Sequence, residues 1–119
     1  MLFVCYPKCT TCQKAKKFLD EQGLSYTLRD IKTENPTLDE LRAWHQKSGL
    51  PLKRFFNTSG LVYKSLGLSQ KLPTLGEEEQ LALLASDGML VKRPLLVLPD
   101  KVLVGFRQPE WEAALTETH

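Results

Sequence analysis

Leu2-Phe3-Val4-Cys5-Tyr6-Pro7-Lys8-Cys9-Thr10-Thr11-Cys12 runs from a short apolar strand, through a Pro-Lys turn, into two thiols three residues apart. An amphipathic helix follows, from about Thr10 to Gln22. Cys12, Ala15, Phe18 and Leu19 form its apolar stripe, Lys14, Lys17 and Glu21 stand opposite, and Gly23 is placed to stop it. Positions i and i+3 of a helical first turn lie on one face. The spacing therefore puts the Cys9 and Cys12 Cα atoms about 5 Å apart, inside the roughly 4.4–6.8 Å span of a disulfide. Cys9 also falls where unpaired backbone N–H groups and the positive end of the helix dipole favour a thiolate. One sulfur is set to attack and the other to resolve, so the pattern predicts a redox site.

The rest of the chain is compatible with this. Its 119 residues make one domain with room for a core. Sixteen basic and fourteen acidic side chains nearly cancel, which gives no electrostatic reason to expect direct binding to nucleic acid or an anionic membrane. No apolar run approaches the roughly 18 residues of a membrane span, and a core strand beginning at Leu2 argues against a signal peptide. Three cysteines, two of them in a CxxC, do not make a secreted disulfide framework; the expected compartment is the reducing cytoplasm. With no second CxxC or CxxH, a zinc site is not expected, nor any tightly bound cofactor. Cys5, in its apolar strand, reads as a buried inert thiol, and the chain as a monomer.

Downstream, Ser25 to Ile31 alternates with the period of a strand. Residues from about 37 to 87 read as a helical insertion. Thr37-Leu38-Asp39-Glu40 fits a capping box, and Thr74-Leu75-Gly76-Glu77 is expected to be a second. Between them, Phe55-Phe56-Asn57-Thr58-Ser59-Gly60 reads as a turn and Leu61 to Leu66 as a short helix ended by Gly67. Pro94 to Leu98 and Val102 to Phe106, separated by Pro99-Asp100-Lys101, predict an antiparallel hairpin. Pro109, at an expected N1 position, begins a last helix carrying Trp111 and Leu115. His45 and the Glu77-Glu78-Glu79 run read as packing and first-turn charge, and the terminal His119 is expected to be disordered.

A β-α-β unit, a helical block, a β-hairpin and a final helix are the element order of the thioredoxin-like fold: an α/β domain with a mixed four-stranded sheet. Four segments carry a closer likeness: Tyr6-Pro7-Lys8-Cys9-Thr10-Thr11-Cys12, Tyr63-Lys64-Ser65-Leu66-Gly67-Leu68, Lys92-Arg93-Pro94-Leu95-Leu96-Val97 and Val104-Gly105-Phe106-Arg107. Together they make the chain resemble the arsenate reductase/Spx family of bacterial proteins. For the glutaredoxin-linked reductases, the resemblance implies that Cys9 attacks an oxyanion held by Arg93 and Arg107, with Pro94 in a cis bond beside it. Bidentate guanidinium groups suit such an anion. The third arginine of those enzymes falls here on Asn57, with Arg54 three residues earlier, and Cys12 stands where they have no cysteine. Both departures point toward dithiol chemistry on a small oxyanion or disulfide, with thioredoxin, glutaredoxin or glutathione as external reductant. Spx, the CxxC-bearing relative, implies instead a redox-sensing regulator that binds the RNA polymerase α subunit. A binding module with vestigial cysteines is the third reading.

Overall fold

The computed structural model describes residues 1–118; His119, expected to be disordered, lies outside them, and side chains are described through residue 116. Four strands, β1 (Leu2–Cys5), β2 (Thr27–Asp30), β3 (Leu95–Val97) and β4 (Val102–Val104), form one sheet in the order β2-β1-β3-β4. β1 pairs parallel with β2 across the helix α1 (Thr10–Glu21), and β3 pairs antiparallel with both β1 and β4. This is the mixed sheet that the element order predicts.

The pleat of β1 divides the molecule. Phe3 and Cys5 face one side, where α1 and α6 (Gln108–Thr118) pack through Ala15, Phe18, Leu19, Trp111 and Leu115. Val4 faces the other, where the insertion closes a second core with Leu41, Trp44, Phe55, Phe56, Leu81 and Leu84. Alternate side chains of one strand thus belong to different cores, as a period of two requires when both faces are covered.

The insertion is built from α2 (Leu38–Ser48), α3 (Leu61–Ser65), α4 (Leu68–Lys71) and α5 (Glu77–Ser86), with 3₁₀ turns at Leu52–Phe55, Leu72–Thr74 and Gly88–Leu90. Thr37 caps α2 reciprocally with Glu40: the Glu40 N–H donates to Thr37 Oγ1 at 3.1 Å, and the Thr37 N–H donates to Glu40 Oε1 at 3.0 Å. The second expected capping box does not form. Gly76 is the N-cap of α5, and Thr74 turns its hydroxyl back to the Lys71 carbonyl at 2.6 Å. The preceding 3₁₀ turn takes up Thr74 first. Similarly, α6 starts one residue earlier than Pro109 suggests, at Gln108, with the Trp111 N–H bonded to the Arg107 carbonyl.

Gly88 ties the insertion to the sheet. A Cβ on it would sit 1.7 Å from the Ile31 carbonyl oxygen, so only glycine lets the end of β2 and the entry to β3 come this close. Nearby, the Asn35 amide donates to the Ala85 carbonyl at 2.7 Å. Arg29 is the second tie. It reaches both Glu40 oxygens at 2.6 and 2.8 Å and the carbonyls of Glu34 and Asn35, with its guanidinium carbon 5.9 Å from the Trp44 ring centroid.

Candidate functional site

Cys9 is the N-cap of α1, in extended conformation with φ −83° and ψ 124°. Its N–H is bonded to the Tyr6 carbonyl at 2.9 Å, which closes the Pro7-Lys8 turn, and its carbonyl accepts the Gln13 N–H at 3.0 Å. No side-chain cap bond engages its sulfur. Cys9 is partly exposed, whereas Cys12, one turn on, is 1 % exposed and points into the α1 side of the sheet. All three cysteines are free thiols.

Cys12 is held from two directions. The Tyr6 N–H donates to its Sγ at 3.3 Å, and the Cys5 thiol, also buried, faces it from β1. That contact with Cys5, followed by burial, pushes the Cys12 thiol far above its ordinary range, against the smaller pull of the Tyr6 N–H and of Cys9. The same contact draws Cys5 below its ordinary value. Burial keeps Cys12 from competing with the partly exposed Cys9 for an incoming substrate.

Cys9 opens onto a pocket of about 480 Å³, lined also by Thr11, Arg54, Asn57, Ser59, Gly60, Lys92, Arg93, Val104, Gly105, Phe106 and Arg107. Every side chain that the sequence nominates for anion binding, namely Arg93, Arg107, Asn57 and Arg54, meets Cys9 here. Three remote segments supply them. The 3₁₀ turn Leu52–Phe55 carries Arg54 and leads into Asn57; it is clamped beside the approach to β3 by the Phe56–Val91 bridge. Bonds from the Asn57 N–H to the Leu90 carbonyl (2.7 Å) and from the Lys92 N–H to the Phe55 carbonyl (2.8 Å) flank that bridge. Arg93 comes next, ahead of a cis Arg93–Pro94 bond. The Pro94 carbonyl accepts the Gly105 N–H at 2.8 Å, and Gly105, at φ +77°, turns the chain out of β4 toward Arg107. The Trp111 indole, bonded to the Gly105 carbonyl at 3.0 Å, fixes that turn.

Four basic side chains and no carboxylate line the pocket. Elsewhere Arg29 and Arg42 are paired with Glu40 and Glu78, yet no ion pair involves Arg54, Lys92, Arg93 or Arg107 among the described residues. Arg93 is the most telling. Its guanidinium carbon lies 5.3 Å from the Tyr6 ring centroid, and its Nε and Nη1 are buried without a hydrogen-bond partner. Buried donors without a partner are costly, which sets Arg93 apart from the paired arginines Arg29 and Arg42.

Lys92, Thr11, Ser59 and Gly60 also line the pocket, outside the residues that the sequence marks for anion binding. Lys92 carried a usable signal: in Val91-Lys92-Arg93 it breaks an otherwise apolar approach to β3. Among the described residues no His/Cys/Asp/Glu group could hold a metal ion, and no helix is long and apolar enough to cross a membrane.

Residues 5–114 match the model of the ArsC family. Among solved structures, an ArsC family related protein of Bacteroides fragilis is 62 % identical and superposes with a TM-score of 0.92 over 94 % of each chain. The uncharacterized protein YusI of Bacillus subtilis (strain 168) is 52 % identical over 94 % of this chain and 95 % of its own. The global transcriptional regulator Spx of Staphylococcus haemolyticus (strain JCSC1435) is 27 % identical over 87 % of this chain and 78 % of its own.

Proposed function

Because the chain belongs to the ArsC family, we propose that it is a thiol–disulfide oxidoreductase, with Cys9 as nucleophile and Cys12 as resolving thiol, acting on an anionic substrate. The observation that carries this reading is the pocket onto which Cys9 opens, lined by Arg54, Lys92, Arg93 and Arg107 and by no carboxylate. Cys9 attacks the substrate and forms a covalent adduct: on a small oxyanion such as arsenate it displaces one oxygen, which leaves as water, and on a disulfide with acidic flanks it breaks the S–S bond and expels one thiolate. Arg93 and Arg107 hold the anionic group, with Asn57 and Arg54 beside them in the pocket lining. Cys12 then gives up its proton, to the departing product or to solvent, and attacks Cys9 Sγ. The bond from Cys9 to the substrate breaks, its electron pair leaves with the reduced product, and a Cys9–Cys12 disulfide remains. An external thiol, from thioredoxin, glutaredoxin or glutathione, returns the two electrons.

The test is to incubate the Cys12→Ser variant with arsenate and a reductant, and separately with cell extract, then to identify by intact mass what is held on Cys9. The expected result is a trapped adduct in Cys12→Ser and no turnover in Cys9→Ser. Wild-type activity in Cys9→Ser would sink the scheme.

The likeness to Spx supports a second reading, a redox-sensing regulator that binds the RNA polymerase α subunit. It expects the α subunit to be captured by the immobilised protein in one redox state and not the other. Its absence from both pull-downs would remove that reading.

A further inference from the structure

Cys5 takes no part in the scheme above, yet its position is not that of an inert core thiol. It lies on the α1 side of β1, 4 % exposed, in the same buried cluster as Cys12, with Cys9 packed against that cluster. The strand fixes it there: Cys5 pairs with Asp30, and its carbonyl accepts the Ile31 N–H at 2.8 Å. Cys12 Sγ accepts the N–H of Tyr6, the residue that follows Cys5, at 3.3 Å, so the resolving thiol lies at the strand end that carries Cys5.

We propose that Cys5 is a third thiol of the relay, which takes over Cys12 from the Cys9–Cys12 disulfide and leaves a buried Cys5–Cys12 disulfide behind a regenerated Cys9. The inference rests on the reading that Cys9 and Cys12 become oxidised in turnover. The exchange needs no further oxidant. The Cys5 thiolate attacks Cys12 Sγ, the Cys12–Cys9 bond breaks, and its electron pair leaves on Cys9; the proton lost by Cys5 passes to solvent or to Cys9. Each participant suits its part. Cys5 is held by the strand on the α1 side of the sheet, at the end of β1 where Cys12 Sγ meets the Tyr6 N–H. Cys9 leaves into a pocket with four cations and no carboxylate, where a departing negative charge is stabilised. The product disulfide lies behind the helix, away from a protein reductant, so an oxidised chain would retain a reactive Cys9.

Trypsin makes the test direct, since cleavage after Lys8 and Lys14 puts Cys5 on peptide 1–8 and both other cysteines on peptide 9–14. The full chain is oxidised with oxidised glutathione, quenched in acid, alkylated with iodoacetamide, digested without reduction and read by mass spectrometry. The expected result is loss of free peptide 1–8 in favour of a species linking it to 9–14 through Cys12, with the alkyl group on Cys9. An internal Cys9–Cys12 bond with Cys5 alkylated would overturn the inference and leave the proposed function standing. Alkylation of all three cysteines would overturn both, and a Cys5–Cys9 link would overturn the order of exchange. The mapping uses the wild-type chain, so it does not depend on how a Cys5 variant folds.

Discussion

At the residue scale, the site turns on how one guanidinium is held. Tyr6 covers one face of Arg93, whose Nε and Nη1 are buried without a protein partner while the residue lines the pocket. Hydrogen bonds to charged groups contribute about 1.5–3 kcal/mol. Arg93→Ala is therefore expected to raise KM for an anionic substrate by about 10- to 100-fold, with less effect on alkylation of Cys9 by neutral iodoacetamide. Arg93→Lys keeps the charge but loses the fork, and should recover only part of the affinity. Steady-state kinetics on the two variants check this; equal KM for wild type and Arg93→Ala would remove Arg93 from the anion site. Cys9 is legible from the helix start and the CxxC spacing, whereas Arg93 and Arg107 read as ordinary charges until the family resemblance gives them a role. What Cys5 faces was not legible. Whether a strand thiol meets a helix thiol depends on which pleat face the helix covers, and no local pattern carries that.

At the scale of elements, α2 shows where local chemistry suffices and α5 where it does not. Thr37-Leu38-Asp39-Glu40 makes its capping box because nothing upstream competes for Thr37, whereas Thr74 is already committed to the 3₁₀ turn before α5. Thr37→Ala should cost about 1 kcal/mol, read as a lower urea midpoint with unchanged slope. Glu40 serves the cap and Arg29 together. The Arg29 guanidinium, with help from the Thr37 backbone, brings its carboxyl down to about 2 against desolvation by burial. Its folded-state value is depressed, so the stabilisation is fully present above the unfolded value near 4.5 and is lost as pH falls toward 2. Discounted for partial exposure, it amounts to about 1–3 kcal/mol. Glu40→Gln should therefore flatten the decline of Tm between about pH 4.5 and pH 2 compared with wild type. Parallel declines in the two proteins would deny the pair that role.

Across the whole molecule, the order of strands and helices was readable from hydrophobic period and turn residues. The docking of the insertion was not, since it depends on contacts between distant backbones. Gly88 is the sharpest case: Asp87-Gly88 looks like an ordinary helix stop, but the residue sits against the Ile31 carbonyl. Gly88→Ala has to push two backbone segments apart, and we expect it to lower Tm by more than Gly67→Ala. Gly67 has a positive φ of 63° but open space around it, so alanine there should cost only about 1–2 kcal/mol of backbone strain. Thermal melts of both variants decide between these ranks. The division made by β1 has a further consequence. The sulfurs are anchored on one side of the sheet, while Arg54 and Asn57 arrive on a segment rooted in the core of the other. Part of the pocket wall is thus written apart from the thiols and from Arg93 and Arg107, and exchanging residues 52–60 between relatives should alter which anion is preferred while the electron-transfer machinery stays intact.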